Sequence, residues 1–291
     1  MEHRPVLLAE VLHFLEPARG GLLLDATIGL GGHAVAFLDG DPEGRVLGID
    51  RDAEMLEIAR GRTERFGSRM ALRHAAFADL AAVVKGEGLG EPDAILFDFG
   101  VSSPQLDVAE RGFSFRLDAP LDMRMDRSCG ETAADLVARL PETELGNLIF
   151  RLGEERSARR VAAAIIAERR RAPIGTTGRL AEVVRRAVRT RGRIDAATRT
   201  FQALRMAVNG ELEQIERGLD AAAGSLRPGG RLLAISFHSG EDRIVKNFLR
   251  GDPRMRVLTK KVVRAGAEER RSNPRARSAR LRAGERRLAD A

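Results

Sequence analysis

The apolar positions in the first hundred residues fall in short unbroken runs rather than in alternation. Leu22-Leu-Leu-Asp25, Arg45-Val-Leu-Gly-Ile-Asp50 and Asp93-Ala-Ile-Leu-Phe-Asp98 each end in an acid. Runs this short, without a polar position inside, read as strands buried on both faces, as in a parallel sheet. Strands are predicted over about 21–26, 45–50, 71–75 and 93–98, with helices between them. Asp52 stands where it can cap the helix carrying Met55, Leu56 and Ile58. Such alternation predicts a doubly wound α/β sheet.

The period then changes. From about 106 to 205 no strand is predicted, and residues 131–140, 142–152, 157–171 and 178–190 read as helices. Phe201, Leu204, Val208, Leu212, Ile215 and Leu219 are spaced by three and four, which predicts one long helix despite Gly210 inside it. The sheet resumes at Arg231-Leu-Leu-Ala-Ile-Ser236 after a Pro-Gly-Gly turn. The helical block is therefore expected to be an insertion, 106–205, between halves 1–105 and 206–291 of one sheet domain. The last ~35 residues are basic and poor in large apolar groups, so they are expected to be ordered mainly on binding.

Charge sharpens this division. The net charge of +7 resolves into two segments of +9, residues 151–199 and 254–291, on a remainder of −11. An acidic body with two basic segments is the asymmetry of a nucleic-acid binder. A single cysteine, Cys129, excludes an internal disulfide and a cysteine metal cluster, and fits a reducing cytoplasm. No signal peptide and no membrane-spanning run are visible. With no tryptophan or tyrosine, any base stacking falls to phenylalanine, histidine or arginine.

The candidate chemistry gathers where the first strand meets Thr27-Ile-Gly29-Leu-Gly31-Gly32-His33. Glycines there let a backbone approach a ligand, and the following helix points free N–H groups at it. Asp50 follows Gly29 by 21 residues, about the spacing at which an acid takes the hydroxyls of a ribose. Gly29-x-Gly31-x-x-Ala34 also satisfies the loose dinucleotide fingerprint, but Asp25 would repel a pyrophosphate and suits an ammonium group. Asp98 opens the polar turn Asp98-Phe-Gly-Val-Ser-Ser-Pro-Gln105 and reads equally as a helix cap or as chemistry. His238, after the last sheet strand, reads either as a structural hydrogen-bonding residue or as a ligand-edge residue. Phe113 and Phe115 are either core of the inserted block or a stacking surface for a base.

Together these segments resemble the RsmH (MraW) family. The resemblance is carried by His3-x-Pro-Val-Leu-Leu, Asp25-x-Thr-x-Gly-x-Gly-Gly-His33, Gly48-Ile-Asp-Arg-Asp52, Gly100-Val-Ser-Ser-Pro-Gln-Leu-Asp107, Glu110-Arg-Gly-Phe-Ser-Phe115 and Pro120-Leu-Asp-Met-Arg-Met-Asp126. It continues in Gly153-Glu-Glu-Arg156, Thr200-Phe-Gln-Ala-Leu-Arg205, Ser236-Phe-His-Ser239 and Asn273-Pro-Arg-Ala-Arg-Ser278. Gly210, Gly240 and Ser157 depart from the family pattern.

The resemblance implies a Rossmann-like class I methyltransferase sheet with an inserted all-helical domain, S-adenosylmethionine as cofactor, and N4 of one cytosine in the decoding region of 16S ribosomal RNA as target. It implies cofactor contacts at Gly31, Gly32, His33, Asp50, Phe77, Asp98 and Gln105. Catalysis is expected at Asp98, Ser102 and Ser103, and RNA contacts at Phe113, Phe115 and His238, in the small ribosomal subunit and without a metal or a membrane. The alternatives are a nicotinamide oxidoreductase, disfavoured by Asp25, and an assembly factor with a degenerate cofactor site, disfavoured by the filled positions 31–33, 50 and 98.

Overall fold

The structure is a computed structural model that describes residues 4–188 and 195–288. Residues 1–3, 189–194 and 289–291 lie outside the described residues, and with them His3, the end of the helix expected over 178–190 and part of both basic segments. The chain divides into two compact units, Met1–Gly100 with Leu212–Ala291, and Val101–Glu211.

The first unit is a seven-stranded sheet. Its strands are β1 (Leu22–Asp25), β2 (Arg45–Asp50), β3 (Met70–His74), β4 (Ala94–Asp98), β5 (Arg231–Ser236), β6 (Met255–Val257) and β7 (Arg280–Arg286), in the order β3-β2-β1-β4-β5-β7-β6. The first five strands are parallel, and β7 runs antiparallel to both β5 and β6. This is an open, Rossmann-like doubly wound sheet with an antiparallel pair at one edge. Chain order reverses between β1 and β4, which opens the crevice where open α/β sheets bind ligands.

The apolar runs do what their lack of alternation predicts, since both faces of β1, β2 and β4 are covered. Leu23, Val46 and Leu96 pack one face against α1 (Leu8–Leu15), α2 (Gly32–Gly40) and α3 (Ala53–Thr63). Leu24, Leu47, Ile95 and Phe97 pack the other against α4 (Leu80–Glu87) and residues of the helices at Glu211–Ser225 and Ser239–Gly251. Asp52 caps α3 by accepting from the N–H groups of Glu54 and Met55.

The second unit is helical around its own core. It holds α5 (Ser103–Asp107), α6 (Ala133–Arg139), α7 (Glu142–Gly153), α8 (Ala158–Arg169), α9 (Thr177–Ala187) and α10 (Ala197–Val208). The irregular stretch between α5 and α6 is organised by Arg111, which is only 1% exposed and donates to the carbonyls of Arg124 and Met125. A Cβ at Gly112 would stand 2.5 Å from the Pro120 carbonyl oxygen. The motifs at 110–126 therefore build this backbone crossing.

Two expectations are corrected. The single long helix is two: α10 stops at Asn209, Gly210 adopts φ +59°, and α11 (Glu211–Ser225) starts anew. The periodicity runs through the break because both helices bury the same kind of stripe. Glycine at a positive φ is a helix terminator, and the Asn209 side chain is drawn away to bond Met123 and Met125. The C-terminal segment, expected to be ordered mainly on binding, instead completes the sheet. β7 pairs with β5 over six residues, with Leu281 and Ala283 wholly buried. α12 (Ser239–Gly251) and α13 (Ala267–Ser272) flank these strands in the chain. Small residues such as Ala283 and Gly284 fit here because the β7 backbone lies close to Leu249 and Met255.

Candidate active site

Asp25, Asp50 and Asp98 end three neighbouring strands, β1, β2 and β4, at the crevice. The turn after β1 is held by its own backbone and by these acids. Ile28 N–H donates to the Ile49 carbonyl at 2.9 Å, and Gly29 N–H donates to Asp50 Oδ2 at 2.9 Å. Asp50 Oδ1 accepts the Asp52 N–H at 2.9 Å. Thr27, which the sequence reading did not single out, accepts the Asp98 N–H on Oγ1 at 2.6 Å and so ties the ends of β1 and β4 together. Its position two residues after Asp25 was the available signal.

Gly29 and Gly31 have φ of +50° and +77°, and Gly31 caps α2 in the left-handed region. Gly32 is required by a close approach: a Cβ there would stand 2.6 Å from Pro5 Cγ. His33, on the first turn of α2, is buried, and Nε2 lies 3.7 Å from Asp98 Oδ2. Neither ring nitrogen of His33 nor Asp98 Oδ1 has a hydrogen-bond partner among the described residues.

Burial raises the Asp25 carboxyl to about 7, against the opposing effects of His33 and the Thr27 N–H, with Asp98 and Asp50 adding to the rise. Burial likewise raises Asp50 to about 6, although the N–H groups of Asp52 and Gly29 favour its ionised form. The crevice thus collects three carboxylates, with His33 beside Asp98 and acting on Asp25, and the Arg51 charge acting on Asp50. A ligand bringing a positive charge and hydroxyl donors suits such an acidic cluster.

Phe77 follows β3 and packs edge-on to Phe97, ring centres 5.6 Å apart. It sits over Gly218, where a Cβ would approach its ring to 2.7 Å. Ser236 ends β5 fully buried, and its hydroxyl has no partner among the described residues. His238 is a helix cap. Its Nδ1 accepts the Gly240 N–H at 3.2 Å and the Glu241 N–H at 3.5 Å at the start of α12. Buried Glu241 in turn accepts the Phe237 N–H on Oε2 at 2.7 Å.

The remaining predicted residues belong to the helical unit. Ser102 and Ser103 start α5, and the Ser102 N–H donates to Gln105 Oε1 at 2.8 Å, a capping arrangement with buried Gln105. Of the two readings left open for Phe113, the structure gives core: it is buried with Leu121, Met123 and Leu204. Phe115 is half-buried edge-on to Phe201, centres 4.8 Å apart, with the Arg185 guanidinium over it. Among the described residues no group of side chains could hold a metal ion.

Residues 1–287 match the MraW methylase family. A ribosomal RNA small subunit methyltransferase H of Nitrobacter hamburgensis is 50% identical over 309 residues, covering 100% of this chain and 92% of the relative. Proteins of the same name from Granulibacter bethesdensis and Trichlorobacter lovleyi are 47% and 48% identical, covering 97% of this chain and 90% and 97% of the relatives.

Proposed function

The chain belongs to the MraW methylase family, and on that premise we propose that it methylates N4 of a specific cytosine in the decoding region of 16S ribosomal RNA. At the coarser level it is an S-adenosylmethionine-dependent methyltransferase of small-subunit ribosomal RNA. The observation that carries the reading is the set of three strand-end carboxylates around a glycine turn, with an acceptor oxygen of Asp98 unused among the described residues.

S-adenosylmethionine, when bound, supplies an electrophilic methyl on a positively charged sulfur. The residues present fit it. Asp50, half-buried at the end of β2, would accept from the ribose hydroxyls. Asp25 favours the ammonium end, Gly31 and Gly32 let the backbone come close, and Phe77 offers an apolar wall to adenine. His33 and Gln105 are further proposed cofactor contacts.

The exocyclic amine of cytosine is a weak nucleophile because its lone pair is delocalised into the ring. Asp98 Oδ1, fixed by the bond from its own N–H to Thr27, would accept an amine hydrogen and favour a pyramidal nitrogen. Ser102 and Ser103 are the proposed further acceptors. Positioning and preorganised acceptors in a site shielded from water are what this transfer needs. The helical unit and the exposed basic residues are proposed to hold the RNA.

The test is transfer of labelled methyl from S-adenosylmethionine to small subunits from a strain lacking the enzyme, followed by nucleoside mass analysis. Label in N4-methylcytidine is expected; label in any other nucleoside overturns the N4 assignment. Asp98→Ala should lower kcat at saturating cofactor by at least about 10²-fold and, because Asp98 is also a proposed cofactor contact, weaken S-adenosylhomocysteine binding as well.

A further inference from the structure

The chain has twelve phenylalanines and neither tryptophan nor tyrosine. Eleven of those rings are buried or half-buried, and Phe150 alone stands in solvent, 62% exposed. Phe113 and Phe115, the sequence candidates for base stacking, are taken up by packing against their own unit. If a phenylalanine of the free protein is to meet a base, Phe150 is the ring available.

Its surroundings are basic. Arg151, Arg156, Arg159 and Arg160 are all exposed, and among the described residues none is in an ion pair or a hydrogen bond. Several other arginines of the helical unit are neutralised: Arg139 by Glu131, Arg179 by Glu168 and Glu182, Arg185 by Asp195, and Arg205 by Glu211, whereas exposed Arg116, Arg170 and Arg171 are not, among the described residues. Four uncompensated charges thus lie at the end of α7 and the start of α8, the ones nearest Phe150 in the chain.

The packing of these helices brings ring and charges together. A Cβ at Gly146 would stand 3.7 Å from Arg159 Cα, so α8 crosses α7 at Gly146. Phe150 lies one turn later on the same side of α7. Helical side chains lean toward the N-terminus, which for Phe150 is the direction of that crossing and away from Glu154.

We propose that Phe150 with Arg151, Arg156, Arg159 and Arg160 forms a contact surface for single-stranded RNA, the ring stacking on an unpaired base and the guanidinium groups taking adjacent phosphates. The proposal rests on the small-subunit RNA reading above. An exposed ring beside unpaired arginines matches the combination that holds single strands, whereas a duplex offers no free base face.

The experiment uses Phe150→Ala and Phe150→Trp in the full chain. Because the protein has no tryptophan, F150W places a lone fluorophore on the surface. F150A should raise KM for small subunits from a strain lacking the enzyme roughly 5- to 150-fold. Its kcat, melting temperature and S-adenosylhomocysteine affinity should stay as in the wild type. F150W should restore KM, and its emission should be quenched by those subunits and by their RNA stripped of protein.

An unchanged KM in F150A overturns the surface. Quenching by subunits but not by stripped RNA means that a ribosomal protein is the partner, and also overturns it. A wild type that transfers no label to subunits fails the broader reading, and this proposal with it.

Discussion

The backbone N–H of Leu7 donates to Glu269 Oε1 at 2.8 Å, joining two residues 262 positions apart. Leu7 has φ +57°, a conformation uncommon for a non-glycine residue, and its side chain is wholly buried. The Asn273 amide adds a second tie, to the Arg4 carbonyl at 3.3 Å. Between these anchors lies Pro5, packed over Gly32 of the glycine turn. The C-terminal segment thereby holds the chain that backs the candidate cofactor site. Glu269→Ala should destabilise the protein by about 1.5–3 kcal/mol, the usual worth of a hydrogen bond to a charged group. It should also weaken S-adenosylhomocysteine binding, whereas Glu269→Gln keeps an acceptor and recovers most of both. Thermal melts and calorimetry on the two variants check this, and equal behaviour of Ala and wild type would refute it.

Asp50→Ala should weaken S-adenosylhomocysteine binding about 10- to 150-fold, through loss of a charge-assisted bond. Ribose hydroxyls donate best to the ionised carboxylate, and the free protein holds that carboxyl near 6. Cofactor affinity should therefore fall as pH drops below about 6, and Asp50→Ala should flatten that limb. Calorimetry from pH 5 to 8 provides the measurement.

The Asp25 carboxyl is raised to about 7 by burial, so between the unfolded value and 7 the folded state binds more protons than the unfolded state. Its contribution to stability consequently falls as pH rises from about 4 to about 7 and levels off above that. Asp25→Asn can still accept the Thr27 N–H and carries no charge. The melting temperature of D25N minus that of the wild type, both without cofactor, should grow from pH 5 to about pH 7 and level off by pH 8. A difference independent of pH would show that Asp25 is not the titrating group.

Truncation at residue 254 would remove β6 and β7 and bare the edge of β5, so it should yield a chain that melts early or aggregates. The C-terminal RNA contribution is better tested by charge. Lys260, Lys261 and Arg271 are exposed. Changing all three to Glu should leave the melting temperature within about a degree and make the log–log salt dependence of subunit binding shallower by about 2–3. An unaltered slope would exclude these side chains as phosphate contacts.

The sequence by itself determined the parallel strands, because Leu22-Leu-Leu and Ala94-Ile-Leu-Phe lack any polar position and must be covered on both sides. It also determined the strand-end acids and the glycine turn, since positive φ and close approach leave glycine as the ready choice at Gly29 and Gly31. Other features were decided only by contacts between distant residues. β7 reads as a polar basic tail because much of its stabilisation comes from pairing with β5 and from carboxylates far away, such as Asp242 under Arg282. Periodicity could not divide α10 from α11, because a stripe records which side is buried and not whether the backbone between is helical. The same holds for the rings. Phe113, Phe115 and Phe150 are chemically identical in the chain, and only packing made the first a core residue, the second a half-buried partner of Phe201 and the third a free face.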